Sequence, residues 1–433
     1  MYVAIAFLIF CVVCTVLAFA RHPIYGFYFY LATFYVYPPG RWWGYAFGET
    51  RWSLIAAGVA ILAILTHRGK LQPKPSWYAS VPALAIIAYC VWMWIQSPWV
   101  LAVDEHSRGT ILVTKYAVAY WIVYRIVDTK ERVQDLLIAH LLGCTLLGIL
   151  AYTTGRTGDR LDGVGGPGLD DSNTLAMYFV TGAIVGFGCV LTQTGWRRWL
   201  SLGSVVITLE GLVLTNTRGA VLALVAGGVT MMVFKAKAHR RLFWSLAIVG
   251  AIGFASIIDE KFVARMMTVQ DGFSDSEDAD ASARSRGIIM GAQLRMFRDH
   301  PMGTGHRGTG VLSARYLDER WLTRGPSGIA SVSSHNTFLT TLVEQGVPGA
   351  ALFIWLTAWT LLAILRMRQH QAPQVAPDLT TLMSTIAGAL AAIFVAGFTV
   401  DFLLAEVQYW LFATFVTVGQ LVSVHSRRGA LHG

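Results

Sequence analysis

Charged side chains are scarce in this 433-residue chain, where Asp, Glu, Lys and Arg together make up 14% of the residues. Motifs with a known metal or nucleotide mechanism are also missing: there is no HExxH, no P-loop and no set of paired CxxC motifs. The acidic run 275–280 departs from the spacing of a calcium-binding EF-hand, which favours a solvated loop. We therefore expect no metal and no cofactor.

The cysteines are too few and too apolar in context to form a disulfide framework. The chain has five, and each lies within an apolar run, where a cysteine is typically a small core residue. Cys11-x-x-Cys14 has the spacing of a redox motif, but its surroundings favour simple packing.

Long runs of apolar residues are abundant in the sequence. The hydrophobic fraction is 55% and the mean hydropathy is +0.53, which is too apolar for a soluble domain of this size. Because apolar runs of about 17–25 residues are typical of membrane helices, we predict an all-α polytopic membrane protein with about 12–13 transmembrane helices and one large exterior loop. The first run has no basic leader, so we expect a membrane helix there and no cleavable signal peptide. The candidate segments are 2–20, 23–38, 52–66, 77–96, 111–127, 133–153, 174–194, 198–216, 219–234, 242–258, 336–365, 380–400 and 402–424.

The basic residues of the short loops predict the orientation. Lys and Arg flank alternate segments on one side, which the positive-inside rule assigns to the cytoplasm together with the C-terminus. The large loop 259–334 and the turn at 400–401 then face the exterior. That loop holds 10 Lys/Arg and 10 Asp/Glu, so the net charge of +9 lies outside it. The basic balance therefore reflects topology and anionic membrane lipids, and it does not indicate nucleic acid.

No internal repeat is evident, so we expect one integrated membrane domain in three parts. Residues 1–258 form N-terminal transmembrane helices, 259–334 an exterior loop with amphipathic helices, and 335–433 C-terminal transmembrane helices. Within the loop, 286–298 has an apolar face beside Arg295 and Arg298. Such a helix either lies on the bilayer, where it could guide a lipid-linked substrate, or packs on the membrane domain.

Three arginines at exterior-facing positions are candidate anion ligands. Arg218 stands between two apolar runs, and Arg284 and Arg286 are separated only by a serine. Arginine suits phosphate because its planar guanidinium makes bidentate, charge-assisted hydrogen bonds. The alternatives are an interfacial Arg218 that reaches lipid headgroups and a solvated loop that carries Arg284 and Arg286.

His335 and Asn336 stand where a long apolar helix begins. An unperturbed imidazole titrates near neutral pH, so His335 could accept a proton from an attacking hydroxyl. The alternative is a polar helix start with Ser334 as its cap.

Asp401 lies where two apolar runs meet. It could orient a histidine or pair with an arginine, in a catalytic or a purely structural role. The glycine-rich loop 155–173 can fold back towards the membrane and present backbone N–H groups to a phosphate, although it lacks a fixed phosphate-loop pattern.

Several of these residues lie in blocks that resemble, in order and spacing, the signature of the O-antigen ligase/polymerase superfamily. The blocks are Asn216-Thr-Arg218-Gly-Ala, Ser285-Arg286, Asp299-His-Pro-Met-Gly-Thr-Gly305, His335-Asn336-Thr-Phe-Leu and Glu344-Gln-Gly-Val-Pro-Gly349. Segments near the N-terminus and at 170–173 are also similar to ligases associated with exosortase systems. The usual aromatic after the Arg286 block is absent, since Gly287-Ile-Ile-Met290 follows.

The resemblance implies an inverting glycosyltransferase of the bacterial inner membrane that acts on the periplasmic side. Such enzymes move a glycan from undecaprenyl pyrophosphate to an acceptor, typically lipid A–core. Carried over by position, the two family arginines fall on Arg218 and Arg286, the histidine on His335, and a late acidic residue on Asp401. Arg284 and Asn336 are expected to contribute to the binding of pyrophosphate or sugar.

Other functions share these features. A Wzy-type polymerase would use the same site with a second lipid-linked glycan as acceptor, and a protein O-glycosylation ligase would use a protein. A glycolipid transporter typically carries charged groups at mid-bilayer and internal repeats, whereas the polar residues here cluster at one face.

Overall fold

A computed structural model of the chain describes residues 2–156, 161, 163–166, 168–169, 171–263, 266, 277–324, 330–331, 336–367 and 376–431. Side chains are described for all of these except 277–286, 323–324, 330–331 and 425–431.

Long helices dominate the described residues. They are α1 (Tyr2–Ala20), α2 (Ile24–Val36), α3 (Trp52–Thr66), α4 (Val81–Gln96), α5 (Val103–Ile126), α6 (Lys130–Thr154), α7 (Ser172–Thr192), α8 (Gly195–Thr215), α9 (Arg218–Phe234), α10 (Arg240–Ile257), α11 (Glu277–Asp299), α12 (Gly308–Tyr316), α13 (Thr337–Arg366), α14 (Pro377–Ala396) and α15 (Glu406–Leu431). Short 3-10 turns lie at Pro38–Gly40, Gly44–Phe47, Trp77–Ala79, Ser97–Trp99, Lys237–His239 and Glu319–Trp321. One two-residue antiparallel ladder pairs β1 (Thr323–Arg324) with β2 (Ala330–Ser331).

The predicted fold class, an all-α polytopic membrane protein, is confirmed. A helix is present at each of the thirteen predicted segments. Nine helices of the described chain are long and apolar enough to cross a membrane, and α3 and α9 are shorter apolar helices. The remaining two are α2, which has 13 residues, and α5, whose first turn is acidic.

The centre of the bundle is formed by α7, α9 and α14. Most of α7 and α14 is buried, and α9 packs extensively along α14. Glycines permit the closest approach: a Cβ on Gly227 of α9 would lie 2.8 Å from the carbonyl oxygen of Gly388 on α14. Small residues commonly let membrane helices approach in this way, which maximises van der Waals contact where the hydrophobic effect is weak.

By contrast, α10 stands at the edge of the bundle. Only Phe243 is buried on it, and a cavity of about 690 Å³ with apolar walls separates it from α7, α8 and α9. The cavity extends along α10 from Phe243 to Ile257.

The helix predicted over 286–298 is present as the C-terminal half of α11. Ala292 and Met296 are buried in a cluster with Leu312 and Val343, so this face packs on the membrane domain. Met290 and Leu294 are exposed on another face. Packing, one of the two alternatives for this helix, is therefore present, and an orientation along the bilayer stays a prediction for the exposed face.

Two further expectations concern the N-terminal half. All five cysteines lie in helices and are free, and four of them are buried. In the loop 155–173, the described Leu161, Val164 and Leu169 are buried, and Gly166 packs under the ring of Tyr37. The loop thus folds back onto the bundle as expected, while phosphate binding by its backbone stays a prediction.

Candidate functional site

Three of the predicted site residues lie at one end of the bundle, which we call the site end. A Cβ on Gly219, the residue after Arg218, would collide with the side chain of Thr399. Thr337, the residue after Asn336, donates its backbone N–H to the carbonyl of Gly397 at 2.7 Å. The turn 397–403 therefore holds Asp401 between the first residues of α9 and α13.

Arg218 is held by a sharp reversal of the chain. Helix α8 ends at Asn216, which adopts a left-handed conformation with φ 52°, and α9 begins two residues later at a half-buried Arg218. Asparagine tolerates this conformation better than most residues, which accounts for its presence at the turn.

A second arginine supports this reversal. Arg156 donates to the carbonyls of Leu214 and Val213, at 2.8 Å and 2.6 Å, and forms an ion pair with Asp259. It thereby satisfies the last carbonyls of α8, which have no partner within the helix. Arg156 is a structural residue next to the candidate site, and it ties the loop after α10 to the segment that carries Arg218.

The start of α13 is tied to the turn 397–403 through Thr337. The hydroxyl of Thr337 donates to the carbonyl of Val400 at 2.7 Å and accepts from the backbone N–H of Phe402 at 2.8 Å. Asn336 caps the helix, since its side-chain oxygen accepts from the N–H of Leu339 at 3.0 Å. The cap is thus Asn336, where the sequence suggested Ser334, and sugar binding by Asn336 stays a prediction.

The side chains of three predicted site residues, His335, Arg284 and Arg286, lie outside what the structure describes. His335 and the predicted cap Ser334 lie outside the described residues altogether. Arg284 and Arg286 belong to α11 by their backbone, while their side chains lie outside what the structure describes. Their assignment to the site therefore rests on the sequence.

A helix break in α13 adds residues that the sequence did not single out for chemistry. Gly346 interrupts the helix with φ 63° and ψ −166°, and the segment 301–305 runs through the opening. Backbone hydrogen bonds join Thr304 to Val343 at 3.1 Å, Gly305 to Glu344 at 2.8 Å and Val347 to Pro301 at 2.9 Å. The break thus replaces lost helical bonds with bonds to another segment, which keeps buried backbone groups paired.

The break also positions a buried acidic residue beside a histidine. Glu344 is 3% exposed, and its carboxylate lies 3.3 Å from Nδ1 of His306. The backbone N–H of His306 donates to Nδ1 of His106 at 3.0 Å, and Gln96 donates to the carbonyl of Glu344 at 2.8 Å. Helices α4 and α5 therefore fix the segment that carries His306.

Asp401 belongs electrostatically to the same group of side chains. Asp401 is exposed at the surface, but many protein atoms lie around its carboxyl group and replace part of its water. This desolvation, together with the charge of Glu344, raises the pKa of Asp401 to about 6. A backbone hydrogen bond from Leu403 and the positive charges of His306 and Arg307 oppose the rise in pKa. Two carboxylates near each other disfavour simultaneous ionisation, so this site can hold a proton close to neutral pH.

The sequence had signals for these additional residues, although it did not assign them roles. Glu344 lies in one of the signature blocks, and Gly303, Gly305 and Gly346 all have positive φ. Arg307 also adopts a left-handed conformation, with φ 64°, which is uncommon for residues other than glycine. The clustered glycines indicated an unusual backbone, but only the fold identifies its partner as the break in α13.

The site end combines guanidinium, imidazole and carboxylate groups at the edge of an apolar bundle. Such a set can hold an anion, stabilise a developing negative charge and accept a proton. No group of three or more His, Cys, Asp or Glu side chains within the described ranges is arranged to hold a metal ion.

Comparison with known proteins gives a match to a family model over part of the chain. No curated protein matches the chain. Residues 203–354 match the family model described as O-antigen ligase. The matched region contains Arg218, Arg286, His335 and Glu344, while Asp401 lies beyond it. This match supports the resemblance of the chain to the O-antigen ligase/polymerase superfamily.

Proposed function

We propose that the protein is an O-antigen ligase-like inverting glycosyltransferase. It moves a glycan from undecaprenyl pyrophosphate to a periplasmic acceptor, most simply lipid A–core, in the bacterial inner membrane. The family supports an activity of the O-antigen ligase/polymerase type, and the donor, the acceptor and the mechanism are our proposal. The single observation that carries it is the convergence of Arg218, Asn336 and Asp401 on one end of an apolar bundle.

The proposed reaction is a single displacement at the anomeric carbon. The acceptor oxygen forms the new bond to this carbon, while the bond between the carbon and the pyrophosphate oxygen breaks. His335 takes the proton of the acceptor hydroxyl, and the electron pair of the broken bond leaves with undecaprenyl pyrophosphate. Inversion follows because attack and departure take place on opposite faces of the sugar ring.

Arg218 and Arg286 are assigned to the pyrophosphate. Their guanidinium groups bind its oxygens and stabilise the charge that grows as it departs, an effect worth about 3–4 kcal/mol for one preorganised donor. Arg284 and Asn336 are assigned to the same pyrophosphate or the first sugar. The short connection after Asn216 supports this role for Arg218, because it gives the backbone of the arginine a fixed position.

We assign Asp401 to support of the proton transfer to His335. A carboxyl with a pKa of about 6 changes charge in the range where an imidazole also titrates. Its ionised form favours the imidazolium that results from proton transfer.

The apolar cavity along α10 is suited to the lipid part of the donor. The cavity along α10 ends at Ile257, close in sequence to Asp259, whose ion pair with Arg156 adjoins the end of α8. Its apolar walls suit a polyprenyl chain, whose pyrophosphate would then lie near Arg218.

The test is transfer by the purified protein in lipid, with a lipid-linked glycan as donor and lipid A–core as acceptor. We expect one glycan block on the acceptor and no transfer by His335→Ala. A ladder of repeats on a lipid-linked acceptor would identify a polymerase, and transfer to a protein alone would identify a protein ligase. Full activity of His335→Ala would refute its assignment as the base.

A further inference from the structure

A groove lies at the end of the bundle opposite the candidate site. Few backbone positions of helices α13 and α15 lie close together, although the rings of Trp359 and Phe415 meet edge to face, and a groove of about 530 Å³ lies beside this contact. Trp359, Met383 and Phe415 give it apolar walls, and Arg366, Gln420 and Ser80 add polar groups. Along α13, Arg366 is roughly 30 Å from Glu344 at a rise of about 1.5 Å per residue.

Arg366 gives the groove a positive charge. It lies in the last turn of α13, is exposed, and makes no ion pair within the part of the chain that the structure describes. Two other basic residues at this end are paired, Lys130 with Asp378 and Arg197 with Asp135. A guanidinium beside an apolar groove at a membrane surface is suited to a lipid phosphate.

Gln420 gives the groove a hydrogen-bond acceptor. Its side-chain nitrogen donates to the hydroxyl of Tyr124 at 2.8 Å, and that hydroxyl donates to the carbonyl of Pro75 at 2.9 Å. The tyrosine has one proton and uses it on Pro75, so the amide must present its NH₂ to Tyr124. The amide oxygen is then buried, with no donor among the described residues. A buried acceptor without a donor is destabilising unless a ligand supplies one.

The two polar groups lie on different helices of the same groove, Arg366 on α13 and Gln420 on α15. A headgroup that lies between these helices can contact both side chains. An occupant must therefore be apolar over most of its length, carry a phosphate, and end in a short arm with a donor.

We propose that this groove binds phosphatidylglycerol. The phosphate pairs with the guanidinium of Arg366, a glycerol hydroxyl donates to the amide oxygen of Gln420, and an acyl chain lies along Trp359, Met383 and Phe415. The net negative charge of this lipid matches the unneutralised charge of Arg366. Phosphatidylethanolamine brings its own ammonium, and phosphatidylcholine has no donor in its headgroup.

A lipid in this position would act as a spacer between two helices of the candidate site. At the site end, α13 carries Asn336 and Glu344, and α15 begins just after Asp401. Because the interior of a membrane protein tolerates few voids, filling the gap fixes the distance between these helices. The inference is independent of the proposed glycan transfer and is tested by binding alone.

The test uses the full chain, delipidated in detergent and titrated with phosphatidylglycerol, phosphatidylethanolamine or phosphatidylcholine of identical acyl chains. Native mass spectrometry counts bound lipids, and thermal unfolding reports stabilisation. We expect one tightly bound phosphatidylglycerol, with affinity about tenfold above either other lipid, because of the three only this lipid combines a net negative charge with a hydroxyl donor. Equal binding of phosphatidylcholine or phosphatidylethanolamine by the wild type would overturn the proposal without any variant.

Variants separate the two polar contacts. Arg366→Gln should lower phosphatidylglycerol affinity about tenfold, and Gln420→Leu should reduce the preference over phosphatidylcholine while the apolar contact and the charge of Arg366 remain. Gly419→Leu should block the groove, since a Cβ there meets only Met383, at 3.8 Å. The matched control is Gly58→Leu in α3, where a Cβ meets nothing within 4 Å. Unchanged binding in both Arg366→Gln and Gly419→Leu would place the lipid elsewhere and refute the assignment.

Discussion

The two ends of the bundle differ in the arrangement of their charged side chains and in their backbone conformation. At the site end, Asp401 and Glu344 lie close enough to repel each other, and Arg307 and Gly346 adopt unusual backbone conformations. At the opposite end, the described acids lie next to bases: Asp128 pairs with Arg132, and Asp378 accepts from Lys130 at 3.0 Å.

This contrast separates residues that serve function from residues that serve stability. Like charges and positive φ values each carry a free-energy cost, and such features persist mainly where a site requires them. Paired surface charges contribute little stability and need no special backbone. The largest effects of substitution on transfer are therefore expected at the site end, and the smallest at the opposite end.

The largest expected effect is the loss of an arginine that binds pyrophosphate. Arg218→Ala or Arg286→Ala should lower transfer by roughly 100-fold or more, because a preorganised donor to the leaving group is removed. Arg218→Lys should not restore full activity, since an ammonium lacks the planar pair of donors. The initial rate of glycan transfer from a lipid-linked donor measures the effect.

A matched control for this prediction is Arg320→Ala. Arg320 is an exposed arginine of the predicted exterior loop that also contains Arg286, and within the described chain its ion-pair partner is the equally exposed Asp318 at 3.1 Å. Its loss should leave transfer within about twofold, since an exposed pair contributes little. Near-normal transfer by Arg218→Ala would remove the functional distinction between the two ends.

The next largest effect concerns the helix break. Gly346→Ala introduces a Cβ that would lie 2.5 Å from both the nitrogen of Gly303 and the carbonyl oxygen of Pro301, on a backbone with φ 63°. We expect a loss of about 3 kcal/mol or more in stability from strain and collision, seen as a lower Tm. Gly58→Ala in α3 should be neutral or slightly stabilising, because a Cβ there has open space. Equal Tm values for the two variants would mean that the break is not a fixed feature.

The helices were predictable because apolar length is a local property of the sequence. Each of the thirteen predicted segments is helical, and the alternation of their ends is enough to predict that Arg218, Asn336 and Asp401 lie on one side of the membrane. What length and hydropathy do not specify is depth in the bundle. Helices α10 and α14 are both in segments long and apolar enough to span a membrane. Only 6% of the apolar stretch at α10 is buried, whereas 83% of that at α14 is buried.

The helix break was not predictable, because its partner lies about 40 residues earlier in the chain. Gly303, Gly305 and Gly346 signal unusual backbone individually, but their hydrogen bonds join two distant segments. The role of Asn336 as a cap was missed for a different reason. Ser334 is an equally good cap by type, and only the path of the chain at Thr337 decides between them.

Substitution of Asp401 should have an intermediate effect on transfer, and its effect on stability should depend on pH. Folding raises its pKa from 3.8 to about 6, so the folded state binds the proton more tightly than the unfolded state. Ionisation of this group therefore lowers stability as the pH rises through about 4 to 6. Asp401→Asn should raise Tm at pH 7.5, and this gain should vanish near pH 4. Transfer should nevertheless fall by about tenfold or more, as for loss of a group that supports a catalytic base.

Glu344→Gln provides the companion measurement. It keeps the shape of the side chain but removes a negative charge that raises the pKa of Asp401. The pH range over which Asp401 affects Tm should therefore move to lower values in this variant. If Tm follows the same pH profile in Glu344→Gln and in the wild type, the two carboxylates do not interact.

The smallest effect is expected at the opposite end. Asp378 is one-third exposed and lies 3.0 Å from Lys130 and 3.5 Å from His239. Asp378→Asn should lower stability by about 1 kcal/mol or less, since solvent and salt screen such pairs. Transfer should stay within about twofold of the wild type, and the stability difference should shrink at high ionic strength. A double-mutant cycle with Lys130→Met isolates the pair. A tenfold loss of transfer in Asp378→Asn would show that the two ends are coupled through α14, and that the division between stability and function drawn from their charges does not hold.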